Sequence, residues 1–470
     1  MTPRRLKAAV GLAAIGLLGL PQAASAHGIG AKADLPIPAW LFAWAATIVL
    51  LVSFGALAAL WQSPKLAALK GRELFRLGPW VDVVLGLLGL VWFGLVVWAG
   101  LTGTFVATAN LAPTAVWVLF WVGMPIVSAI FGDVFRLLSP WRSVARAFGW
   151  VVTRSSSAGL PEPRAWPERL GRLPAALGLL AMGWLELASV SRDDPSVLAT
   201  LALVYAAVQL LGMSAFGVEQ WSERGDSFGV AFSLIARIAP FERVDGVLRL
   251  RVPLTGLVRL SEVRWTQLVL LVMIGTTSFD GFTQGPIWAD AAQSMTNWLN
   301  DLGLGTTQAA EATSTLGLLG GVGVVSLIWF AGVHFAARDL GKPTRQVGNA
   351  FVQVLVPISL AYTVAHYASF FLVQGQAFFY LVSDPTGAGT DWFGTAQWSV
   401  NYGVITPNGI WWVQVAALVI GHVLALMLAH DRALELAPDQ QTATRSQIPM
   451  LIATVAFTSL GLWLLSAGNL

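Results

Sequence analysis

The chain has 470 residues, 56% hydrophobic and only 11% charged, with a mean hydropathy of +0.68. A soluble domain carries roughly 25% Asp, Glu, Lys and Arg, so this is not a soluble composition, and a net charge of +3 is too small to point to nucleic acid as a partner. Cysteine is absent, which excludes disulfides, thiolate metal sites, iron–sulfur clusters and cysteine nucleophiles.

Arg4, Arg5 and Lys7 precede an apolar run, Ala8 to Leu20, that is too short to cross about 30 Å of hydrocarbon comfortably. Ala24-Ser25-Ala26 then supplies a small-residue cleavage site, so residues 1–26 read as a signal peptide and 27–470 as one membrane domain. The fold class expected is all-α, a polytopic membrane helix bundle. Apolar runs near 38–61, 80–102, 114–132, 173–190, 197–216, 266–283, 314–337, 346–373, 410–430 and 448–468 give ten spans. With both mature ends outside, the segments 62–79, 133–172, 217–265, 338–345 and 431–447 lie inside. They hold 23 of the 28 basic residues, whereas the outside segments hold only Lys32 and Arg192. That bias matches the positive-inside rule and sets the orientation of the spans.

The long inside loops are 133–172 and 217–265. In the second, Phe228, Phe232, Ile235 and Ile238 recur at helical spacing, as in a helix lying in the membrane interface. The outside loops 284–313 and 374–409 carry Asp290, Asp301, Glu311, Asp384 and Asp391 and no basic residue. They can cap an outer cavity and bind cations weakly; avoidance of positive charge outside explains the same pattern.

An ionisable side chain is expensive inside a bilayer, which makes each a candidate for function. Asp82, Asp133 and His334 fall near the inner interface, where water lowers the cost. Counting about 1.5 Å per residue, Glu186 and Asp280 lie about 20 Å up their helices, His366 about 30 Å up, and His422 near mid-depth. They can share an outward-opening cavity. Asp280, His366 and Glu186 are the candidate catalytic residues, with Asp280 suited to act as a general base or a metal ligand. Tyr362 shares a helical face with His366, Gln374 follows at the outer end, and Ser278 lies in the hydroxyl-rich run 276–286; these three are candidate cavity residues. That run can unwind to offer backbone groups to a ligand, or simply cap a helix. His366, His422 and Asp280 are ligand types for a divalent metal such as Zn, Mn or Co, and His27 would add one if cleavage frees it. His430, beside Asp431 and Arg432 at an inner helix end, reads as structural.

Six stretches together carry a likeness: 27–38 (HGIGAKADLPIP), 139–142 (SPWR), 217–221 (GVEQW), 277–282 (TSFDGF), 361–367 (AYTVAHY) and 421–434 (GHVLALMLAHDRAL). Along most of its length the chain resembles bacterial multi-pass membrane proteins labelled fenitrothion hydrolase. The resemblance implies hydrolysis of an organophosphorus triester with release of a phenol at the inner membrane, on a small apolar ester. It brings no catalytic residues with it. No His-Glu-x-x-His or Gly-x-Ser-x-Gly occurs, which counts against familiar hydrolase designs. The competing readings are a small-molecule or metal-ion transporter, in which the same polar residues form a path, and a membrane subunit of a larger complex.

Overall fold

The computed structural model describes residues 39–155, 161–258 and 260–467. The signal peptide and His27 therefore lie outside the described residues. The chain is mostly helical, and a helix stands at each of the ten expected places: α1 (Ala39–Leu60), α2 (Trp80–Thr102), α3 (Leu111–Phe131), α5 (Leu173–Leu187), α6 (Pro195–Phe216), α8 (Thr266–Thr283), α10 (Thr306–Leu340), α11 (Thr344–Gln374), α12 (Pro407–Leu436) and α13 (Gln440–Ala467). Seven of them (α2, α3, α6, α10, α11, α12 and α13) are long and apolar enough to cross a membrane. Two of the others are marginal for readable reasons: α5 has only 15 residues, and the 18 residues of α8 include Gln267 and Asp280, whereas the 22 residues of α1 carry no charged side chain.

Three helices of ten residues or more lie outside these runs, α4 (Pro140–Ser155), α7 (Ser227–Ala236) and α9 (Pro286–Asp301), besides short ones such as Val134–Leu138 and Val218–Arg224. Helix α7 corrects an expectation. Its Phe228, Phe232 and Ile235 are buried within the protein, as are Val230, Ala231 and Leu234, so it does not lie in the membrane interface. Its residues are apolar all round, and such a helix packs on every side. Phe120 and Phe135 meet it with ring centroids 4.7 to 5.4 Å away. Helix α9 and the start of α10 make most of 284–313 helical rather than a loop.

A small antiparallel sheet also stands apart from the all-α expectation. Its strands β1 (Arg72–Arg76), β2 (Phe241–Val244) and β3 (Val247–Leu250) run in the order β1-β3-β2. Asp245 and Gly246, both at positive φ, turn the β2–β3 hairpin in two residues. Arg243 on β2 forks onto Asp82 at the start of α2, at 2.9 and 2.8 Å.

Contacts gather the five basic segments at one end of the bundle. Strand β1 pairs with β3, Arg136 and Arg142 both bind Glu219, Lys65 N donates to Asp431 (2.7 Å), and Arg445 pairs with Asp339 (3.1 Å). At the opposite end Leu111 N donates to Pro385 O, and Val190 N to Glu311. The two kinds of segment thus sort to opposite ends.

Helix α11 is central, with 83% of its most apolar window buried, against 28% for α2 and α6. The outward faces of α2, α6 and α10 expose Leu, Val and Phe, such as Val91, Leu211 and Leu327, as lipid-facing surfaces do. Close helix approach rests on small residues: a side chain on Gly275 of α8 would come within 2.6 Å of Val322 Cα on α10.

Candidate functional site

Four helices converge on one buried chain of polar side chains. His366 Nε2 on α11 lies 2.8 Å from Asp280 Oδ2 on α8. Tyr367, next along α11, brings its hydroxyl within 3.0 Å of that same Asp280 oxygen and 3.0 Å of Glu186 Oε1 on α5. Trp121 on α3 donates its indole N–H to Glu186 Oε2 at 3.0 Å. The three expected catalytic residues are therefore brought together, through a tyrosine and a tryptophan that depth counting did not select.

Local backbone explains how they reach one level. Residues Thr114–Gly123 of α3 form a π-helix. Pro125 has no N–H for the Trp121 carbonyl and its ring would strike that group, so a widened turn before it relieves both problems. Trp117 and Trp121 then both face the α5 end, Trp117 donating to Arg192 O at 3.1 Å. Helix α11 is interrupted by a 3-10 turn at Val352–Val354, four residues ahead of Pro357. Counted from Leu355, where regular α-helix resumes, His366 is about 17 Å along rather than 30 Å. Glu186 is about 20 Å from Leu173, and Asp280 about 21 Å from Thr266. The three match in depth.

Helix α8 does not unwind at 276–283. Thr276, Thr277 and Ser278 return their hydroxyls to carbonyls one turn back (2.7 to 3.1 Å) and the helix runs to Thr283. Ser278 is thus a buried, self-satisfied hydroxyl. Tyr362 donates to Phe457 O on α13 and lines a small cavity with His366, Thr277, Gly281, Ala365, Leu418, Gly461 and Leu464. The cavity holds about 20 Å³, room for about one water. His366 Nδ1 lies beside Gly281 in its wall, where a Cβ added to Gly281 would stand 3.7 Å away. Gln374 is at the end of α11 and does not line the cavity.

The expected metal set is not assembled. His422 on α12 commits Nδ1 to Leu418 O (2.6 Å) and does not join Asp280 and His366. Among the described residues no three His, Asp or Glu side chains are placed to hold one ion. Nor do the outer acidic residues converge as a cation site. Asp384 accepts Ala388 N, Gly389 N and Thr390 Oγ1, while Asp391 accepts Ser383 Oγ and Ala396 N, so both order their own loop. His334 is exposed and Asp133 caps a short helix through Arg136 N.

The chemistry turns on one hydrogen. A tyrosine hydroxyl has a single proton to donate, yet Tyr367 sits between two carboxyl groups. If it donates to one, a bond to the other requires a proton on that carboxyl. His366 and the Asp280–Tyr367–Glu186 bridge can therefore exchange a proton along a line without moving any heavy atom far. Compared with known protein families, curated proteins and solved structures, the chain finds no match. Fold and site define an integral membrane protein of several crossings with a buried acid–tyrosine–histidine chain.

Proposed function

We propose that this protein crosses the bacterial cytoplasmic membrane ten times, with residues 1–26 removed and both mature ends outside, and that the Glu186–Tyr367–Asp280–His366 chain accepts and passes protons in support of small-molecule or metal-ion transport. One observation carries this reading: the Tyr367 hydroxyl lies 3.0 Å from each of two half-buried carboxyl groups, one of which is bonded to a histidine. Titratable chains of this kind are costly inside a bilayer and belong to proton relays. The sorting of the basic segments to one end supports ten crossings, since one missed span would split them between the ends.

The test is proton flux into sealed vesicles holding the purified protein and a pH-sensitive dye, with potassium and valinomycin balancing charge. After an external acid pulse, wild type should acidify the lumen, and Asp280→Asn should slow this about a hundredfold. Equal rates for wild type and empty vesicles would remove the reading.

A second reading follows from the resemblance and has its own observation. Asp280 orients His366 through Nε2, and Nδ1 opens on a water-sized cavity, the arrangement of a general base oriented by a carboxylate. In organophosphorus hydrolysis His366 would take a proton from a water whose oxygen attacks phosphorus, and the phenolate would leave. Nitrophenol release from a dimethyl thiophosphate triester in detergent, where no gradient exists, separates the two readings. Release by wild type and not by His366→Ala would favour the hydrolase.

A further inference from the structure

His422 has a feature that the outer chain does not explain. It is fully buried on α12. Its Nδ1 can only donate to the Leu418 carbonyl, because a carbonyl oxygen only accepts. That leaves Nε2 as the atom with a free lone pair, and Nε2 is buried without a hydrogen-bond partner among the described residues. A buried acceptor left bare is destabilising, and such groups are rare unless they have a task or a water.

Position supplies the task. Leu418, whose carbonyl holds His422 one turn away, forms part of the wall of the cavity that His366 Nδ1 borders. Tyr362, another wall residue, turns its ring toward His422 with centroids 6.2 Å apart and an interplanar angle of 63°. His422 does not itself line that cavity; Leu418 and Tyr362, two residues of its wall, are the groups that touch His422. No charged side chain acts on His422 among the described residues. The titratable group packed against it is Tyr362, from α11.

We infer that His422 is the inner station of a proton route, loaded from His366 through water in that cavity and emptied toward the basic end of the bundle. The step forms one N–H bond at Nε2 as an O–H bond of the cavity water breaks, and His366 Nδ1–H gives that water its proton back; the His422 ring becomes an imidazolium and returns to neutral when it passes the proton on. No oxidant, reductant or metal takes part. This rests on the outer chain being a proton relay, as proposed above.

The experiment uses the full-length protein. In the same vesicles, His422→Gln should cut luminal acidification about tenfold. Proton uptake by the outer chain, followed in weakly buffered detergent after an acid jump, should stay at the wild-type level. Unchanged flux in His422→Gln together with lost flux in Asp280→Asn would overturn this inference and leave the relay standing. If Asp280→Asn also conducts normally, both ideas fall. Should His422→Gln fail to fold, nitrogen-15 spectra of labelled wild-type protein decide; a wild type without flux removes the relay and this inference with it. A His422 Nε2 signal that moves from bare to protonated as pH falls supports the station, and one fixed at every pH at which the protein is folded rejects it.

Discussion

The chain around His366 and the cluster around His430 are both buried histidine–carboxylate sites, yet their hydrogen-bond inventories differ. At the inner end, Asp431 Oδ1 accepts Trp61 Nε1 (3.0 Å), Lys65 N (2.7 Å) and Leu66 N (3.3 Å). His430 Nδ1 faces Gln447 Oε1 (2.9 Å) and Nε2 faces Trp61 O (2.8 Å). Gln447 Nε2 is itself held by Ala443 O, which keeps the amide oxygen toward the ring. Both ring nitrogens therefore have an oxygen within hydrogen-bond reach, and Asp431 is the next residue along α12. Every group there has a fixed partner. The outer chain instead has one tyrosine proton between two carboxyl groups and a ring nitrogen opening on a cavity. A saturated network locks helices in place, whereas one with a hydrogen in contention leaves a proton free to change partners.

The comparison breaks first on stability. Asp431→Ala strands three donors at the junction of α1, α12 and α13. It should lower unfolding free energy by on the order of 3 kcal/mol, read as a fall in the thermal midpoint in detergent. A change below about 1 kcal/mol would mean that the inner cluster is not a lock. Asp280→Asn should behave in the opposite way, with a stability change within about 1 kcal/mol and loss of proton flux. Loss of fold rather than flux would make the outer chain structural too.

Tyr367→Phe sharpens the same point at smaller amplitude. It deletes the bridging hydroxyl while Trp121 still holds Glu186 and His366 still holds Asp280. Flux should fall about tenfold, with the fold intact. Activity equal to wild type would show that Glu186 and Asp280 do not communicate through this residue.

How much of this was readable follows physical lines. The positions of the ten helices came from apolar run length, and the end-to-end sorting from Lys and Arg. Asp280, His366 and Glu186 stood out because charge in a bilayer is costly. Tyr367 and Trp121 did not, because a helical-face argument started at His366 keeps Tyr362 and discards its neighbour, which points about 100° away. Yet that neighbouring direction is the one leading to Glu186. A usable signal was present all the same: only five tyrosines occur in the chain, and two fall within 361–367. Depth alone could not say that the His422 ring turns back to Leu418. The burial of α7 was legible from its lack of any polar face. The Asp245-Gly246 pair between Val244 and Val247 marked the hairpin.

The smallest expected effect lies at the basic end of the bundle, where residues 139–142 and 217–221 meet. Arg142 of 139–142 binds Glu219 of 217–221 at 2.7 Å, and Arg136 binds the other oxygen at 2.6 Å. Partial burial pushes the Glu219 carboxyl up, but the Arg142 and Arg136 guanidiniums together hold it below the usual carboxylate range. A carboxyl lowered on folding adds stability above its unfolded value of about 4.3, and that part is lost as pH falls through the folded value. Glu219 is 51% exposed, so solvent screening keeps the contribution under about 1 kcal/mol. Glu219→Gln should therefore lower the thermal midpoint slightly at pH 7, and the gap from wild type should close well below pH 4. A gap that persists in acid would mean that Glu219 acts through shape rather than charge. It would then resemble the inner lock around His430, where what matters is that each atom has a partner.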